Sequence, residues 1–240
     1  MVPLRDENPT TITPYVTYAL IAVNLLIFLY ELSLNQPQLD RFMHLAAVVP
    51  CELSSSCPAV GNEVVPEWLS LVTSQFLHGG WAHVLGNMWF LWIFGNNVED
   101  RLGHVKYLVF YIACGVLAGL AQWFFSQNST IPSLGASGAI AGVMGAYIIR
   151  YPKVAVLTLL PLGPFLTFPR LPAYLFLGLW FVQQALYGVA SLNVPTNIGM
   201  ESGGVAYWAH AGGFAFGAIL GPLLGLFSGD GARGDNYNNV

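Results

Sequence analysis

Charge is scarce in this chain. Its 240 residues include 8 Lys and Arg and 12 Asp and Glu, so charged side chains make up only 8%. An average soluble domain carries roughly 25%. A hydrophobic share of 55% and a mean hydropathy of +0.59 exceed what a soluble core of this size needs. Basic clusters are missing too, which excludes the electrostatic footprint of a nucleic-acid-binding protein. Cysteine is rare, and three residues make neither a disulfide scaffold nor a metal centre. Cys114 lies in an apolar run and reads as a small hydrophobe. Cys51 and Cys57 share one polar loop; they pair if it faces an oxidising compartment and stay free if it does not.

What the chain does have is long apolar runs. A membrane span needs about 20 mostly apolar residues, and hydropathy marks Tyr15–Leu32, Ala82–Val98, Tyr107–Phe125, Ser137–Ile149, Ala173–Val189 and Val205–Phe227. The first run is long enough to remain as a span rather than a cleaved signal. Val154–Phe168 is apolar but holds Pro161, Gly163 and Pro164, so it reads as an interfacial or folded-back connection. With the N-terminus inside, the inner segments carry Arg5, Arg101, Lys106, Arg150, Lys153, Arg170 and Arg233, and the outer loops carry only Arg41. The positive-inside rule therefore favours six spans with both termini cytoplasmic. The expected organisation is a short N-terminal segment (1–14), a six-span domain (15–227) and a disordered tail (228–240). Loop 1, about 35–77, carries Leu39, Phe42 and Met43 and reads as an amphipathic segment in the outer interface.

Two polar residues stand in the wrong solvent. Ser137 and His210 each sit among small residues at the start of an apolar run. An ionisable side chain at membrane depth is a functional hypothesis by default. The alternating topology puts Ser137, His210, and the span-two residues His78, His83 and Asn87 toward the outer face. Ser137 to Arg150 spans fourteen residues, roughly 21 Å of helix. That sets Ser137 roughly 10 Å below the outer interface of a 30 Å core, and His210 lies at a similar depth. Span four is too short to cross alone, so loop 3 (126–134) must dip inward, which requires a cavity or protein around it. Gly138, Gly142 and Gly145 form one small-residue stripe and Gly213, Gly217 and Gly221 another, letting the two helices approach closely.

A serine hydroxyl needs an adjacent base, and His210 is the candidate. No carboxylate stands near it apart from Glu201 in the preceding loop, so a dyad is expected rather than a triad. His83 and Asn87 are four apart and share one helical face. With the Ser137 N–H at a helix N-terminus they can serve an oxyanion. A helix N-cap is the structural alternative for Ser137. His78 and His83 lack the Glu of a zinc-protease helix, so no metal or other cofactor is implied. His44 and His104 read as solvated loop residues. Trp180 reads as a core or lipid-facing residue, with a lateral-gate lining position as the alternative.

The blocks His78-Gly79-Gly80-Trp81-Ala82-His83-Val84-Leu85-Gly86-Asn87-Met88, Gly135-Ala136-Ser137-Gly138-Ala139 and Ala209-His210-Ala211-Gly212-Gly213 resemble, in order, the motifs of rhomboid intramembrane serine proteases. The resemblance covers about residues 15–227. It implies an all-α, six-transmembrane-helix bundle, Ser137 as nucleophile and His210 as general base. It also implies an oxyanion hole of His83, Asn87 and the Ser137 N–H, supported by Gly135 and His78. Implied partners are single-span membrane proteins with helix-weakening residues near the cut, and the lipid bilayer. The implied location is a bacterial plasma membrane with the site toward the outer face. Two positions depart from the family: Leu69 follows Trp68 where an Arg is common, and Ala141 stands where some members place a Tyr against the catalytic histidine. His210 must then be oriented otherwise, for instance by Phe214 or Tyr207. The competing functions are a transporter or channel with a polar pathway, and a protease-dead binder of membrane clients.

Overall fold

The computed structural model of the protein describes residues 1–58, 66–192 and 205–228. A strand, β1 (Val2–Asp6), leads into helix α1 (Tyr15–Ser33). Loop 1 holds α2 (Gln36–Ala46), α3 (Pro50–Leu53) and α4 (Ser70–Thr73), the last flanked by two 3₁₀ turns. Then come α5 (Trp81–Leu102), α6 (His104–Phe125) and α7 (Ser137–Arg150). Strands β2 (Ala155–Leu162), β3 (Phe165–Thr167) and β4 (Arg170–Pro172) precede α8 (Ala173–Ser191) and α9 (Tyr207–Leu224). Among the described residues three helices, α1, α6 and α8, are long and apolar enough to cross a membrane by length and composition. Glu201 and the tail beyond Ser228 lie outside the described residues.

Helix α7 is the axis of the bundle. Ten consecutive residues, Gly138 to Tyr147, are buried, which an all-round small and apolar helix permits. It packs on α5, α6, α8 and α9. Against α9 the approach is backbone to backbone: a Cβ on Gly217 would collide with the Gly142 carbonyl, and one on Gly145 with the Phe214 carbonyl. The two glycine stripes therefore meet each other.

The fold is predominantly helical but not all-α. The apolar stretch 154–168 is a β-hairpin whose turn is Gly163-Pro164, with Leu162 paired to Phe165 and Gly163 at φ 60°. A glycine at positive φ is what a two-residue hairpin turn asks for. Strand β2 also pairs antiparallel with β1 and with β4, closing a four-stranded sheet. The N-terminal segment is thus built into the structure. Trp89 donates to the Pro3 carbonyl, Asn97 to the Asn8 carbonyl, and Tyr147 to Asp6. The buried Glu99 carboxylate accepts the backbone N–H groups of Val16 and Thr17, and Asp100 those of Thr11 and Ile12. A carboxylate at the α1 N-terminus meets both its orphan donors and its dipole. His104 belongs to this cluster rather than to a solvated loop: it opens α6, and its Nδ1 lies 2.6 Å from Glu99. His44 lies within α2.

Candidate active site

Contacts join the starts of α5, α7 and α9 to one another and to the ends of α1, α6 and α8: His78 meets Glu31, Gly135 lies against His83, Ala209 N–H donates to Gln122, and Tyr207 packs on Tyr187. Ser137 is the first residue of α7, and His210 lies in the first turn of α9. Ser137 Oγ stands 2.7 Å from His210 Nε2. The N-cap reading of Ser137 fails, since Ala136 holds that position with no side-chain cap and the Ser137 hydroxyl turns to the imidazole. Ser137, His210 and His83 are each part-exposed.

Loop 3 is held against loop 1 by backbone hydrogen bonds. Val48 and Ser133 exchange backbone hydrogen bonds of 3.0 and 2.7 Å, Cys51 N–H donates to the Ser129 carbonyl, and Gly135 N–H donates to the Ser74 carbonyl at 2.8 Å. Buried irregular backbone is thereby satisfied by protein. Cys51 and Cys57 form a disulfide beside this seam, deciding the question the sequence leaves open.

Helix α5 brings His83 and Asn87 to the same place. Gly135 adopts φ 121°, and a Cβ there would fall 2.7 Å from His83 Nε2 and 3.7 Å from Asn87 Nδ2. Only glycine fits that backbone and that gap. Asn87 Nδ2 lies 3.0 Å from Nε2 of the buried His78. With one amide hydrogen engaged by His78, the other is free to donate beside Gly135. His78 is itself fixed by its backbone N–H, which donates to Glu31 of α1 at 3.2 Å, and its ring meets His83 edge-on at 5.1 Å. All six residues singled out from the sequence therefore converge.

The surroundings of His210 differ from expectation. Tyr207 packs on Tyr187, and Phe214 on Phe181. Instead Gln184 of α8 places Oε1 2.9 Å from His210 Nδ1, and the Trp180 ring lies 5.7 Å from the imidazole at 33°. Sequence reasoning did not single out Gln184. The available signal was its place as a polar residue within an apolar helix, but Gln183 beside it carries the same signal and is exposed.

Comparison with known proteins points to one family. The rhomboid domain model matches residues 65–227. A chloroplastic rhomboid-like protein of Arabidopsis thaliana is 30% identical over 68% of this chain and 54% of its own length. Rhomboid protease GluP of Bacillus subtilis is 35% identical over 56% of this chain and 24% of its own. The mitochondrial rhomboid protein 1 of Saccharomyces cerevisiae is 26% identical over 85% of this chain and 51% of its own. The chain thus spans about half or less of the length of these relatives. The family motifs, the helical bundle with its apolar spans and the matched domain together identify the chain as a member of the rhomboid family, an integral membrane protein.

Proposed function

We propose that this protein is an intramembrane serine endopeptidase with a Ser137–His210 dyad, cleaving transmembrane segments of single-span proteins near their outer ends. The observation that carries the reading is the 2.7 Å contact between Ser137 Oγ and His210 Nε2 beside a cradle of donors. Ser137 attacks the scissile carbonyl carbon while its proton passes to Nε2. The carbonyl oxygen becomes an oxyanion, met by the Ser137 N–H, Asn87 Nδ2 and His83. His210 then gives its proton to the leaving amine as the C–N bond breaks. Water, deprotonated by the same nitrogen, releases the acyl group and restores Ser137. Gly135 leaves room for the donors, and His78 holds Asn87.

The substrate class follows from the shielding of helical peptide bonds. A peptide bond in a regular helix is shielded, so segments weakened by Gly, Pro or small residues are the ones that reach Ser137. The domain occupies residues 15–227 and crosses six times, with α1, α5, α6, α7, α8 and α9 as spans and both termini cytoplasmic. The Lys and Arg distribution supports this orientation. So does the Cys51–Cys57 disulfide on the side of the site, as expected of an oxidising compartment. The Bacillus relative supports a bacterial plasma membrane, beside plant and fungal relatives named for organelles.

Co-expression with a single-span substrate tests the reading. Ser137→Ala and His210→Ala should each lower cleavage by at least about 10⁴-fold with folded protein retained. Unimpaired cleavage by either variant would remove the dyad.

A further inference from the structure

We infer that Gln184 is a positioning residue that fixes the proton of His210 on Nδ1, making the arrangement a Ser–His–Gln relay with a neutral third member. The inference rests on the dyad reading and deepens it. A neutral imidazole carries one proton on two nitrogens. For Ser137 to surrender its proton, Nε2 must present a lone pair, so Nδ1 must be the protonated nitrogen and needs an acceptor. Gln184 Oε1 stands 2.9 Å from Nδ1, while Ser137 Oγ holds Nε2 at 2.7 Å. Each ring nitrogen therefore has one partner of the required kind. Among the described residues no other side chain is hydrogen-bonded to Nδ1.

The placement of Gln184 is hard to explain by packing. Its side chain is buried at 7% exposure in a helix of otherwise apolar inward residues, including Phe176, Leu177 and Trp180. Burying an amide there costs free energy unless it is hydrogen-bonded. Trp180 lies one helical turn earlier on the same face of α8, and its ring flanks the imidazole at 5.7 Å. Helix α8 thus supplies both the acceptor at Nδ1 and a ring beside the imidazole. This accounts for Ala141, where an aromatic residue would otherwise steady the ring. A neutral acceptor selects the tautomer without adding a second buried charge.

The test compares wild type, Gln184→Met and Gln184→Glu on a single-span substrate, with Ser137→Ala run in parallel. Gln184→Met keeps the length and removes the acceptor. It should lower kcat by about 10- to 100-fold with KM within about twofold and the thermal midpoint unchanged. Gln184→Glu restores an acceptor of the same reach and should recover most of the lost kcat. ¹⁵N NMR of wild-type His210 should show Nδ1 protonated at neutral pH. Full kcat in Gln184→Met, a Gln184→Glu no better than Gln184→Met, or a proton on Nε2 would each overturn the assignment. If Ser137→Ala still cleaves, the dyad itself is at fault. If it is inactive while Gln184→Met is unimpaired, Gln184 alone is misassigned.

Discussion

Gly135 shows how much of the site depends on a missing atom. Its φ of 121° and the 2.7 Å gap to His83 Nε2 leave no place for a Cβ. Gly135→Ala should therefore push His83 and Asn87 from the proposed oxyanion position and lower cleavage by about 10²-fold or more. The backbone strain should add about 1–3 kcal/mol of destabilisation, readable as a lower thermal midpoint in detergent. Asn87→Ala removes a donor without straining the backbone, so it should lower kcat comparably, with a stability loss of about 1–3 kcal/mol from the orphaned His78 Nε2. At this scale the sequence was legible where polarity was out of place. Ser137, His210, His83 and Asn87 announce themselves in apolar runs. Gln184 did not, because Gln183 and Gln184 are adjacent and periodicity alone does not say which faces α9. The orientation of His210 likewise depended on three-dimensional contacts of Tyr207 and Phe214 that spacing does not reveal.

Between elements, the contact of α7 with α9 sets the Ser137–His210 distance. The helices touch through Gly142 and Gly217, where a new Cβ would meet a backbone carbonyl rather than a side chain that can rotate away. Gly217→Val should force the helices apart and destabilise by about 1–3 kcal/mol or more. Cleavage should fall with it, since about 1 Å of misplacement costs on the order of 10²-fold. Measuring both the unfolding midpoint and cleavage checks this; a variant stable and active as wild type would mean the stripes are not the contact. These stripes were readable as three- and four-residue spacings of glycine, and the six helices were readable from hydropathy to within a few residues. The sheet was not. Strand β2 finds its partners in β1 and β4, far away or separated by a turn, and an apolar run with Pro and Gly fits a folded-back loop as well as a hairpin.

Across the whole molecule, the N-terminal strand is joined to the buried end of α7 through Asp6, whose Oδ2 accepts from the Tyr147 hydroxyl at 2.6 Å. Burial raises the Asp6 carboxyl to about 6, the Tyr147 hydrogen bond opposing it. A folded-state value above the unfolded one means the contribution is fully present at low pH and is lost as pH rises through about 6. Stability should therefore fall between about pH 4 and pH 7 by up to about 3 kcal/mol, less after solvent screening, and the thermal midpoint should fall with it. Asp6→Asn should flatten that slope, and an unchanged slope would show that Asp6 is not its source. The same carboxylate-rich anchorage, with Glu99 and Asp100 receiving the start of α1, holds the bundle at the end opposite the site. That division leaves the Ser137 end part-exposed and reachable. The most direct measurement is labelling with a fluorophosphonate, which reacts with an activated serine whatever the natural substrate. Wild type should be labelled at Ser137, with labelling lost in Ser137→Ala and strongly slowed in His210→Ala. Absence of labelling in folded wild-type protein, or labelling that persists in Ser137→Ala, would contradict a serine protease centred on this pair.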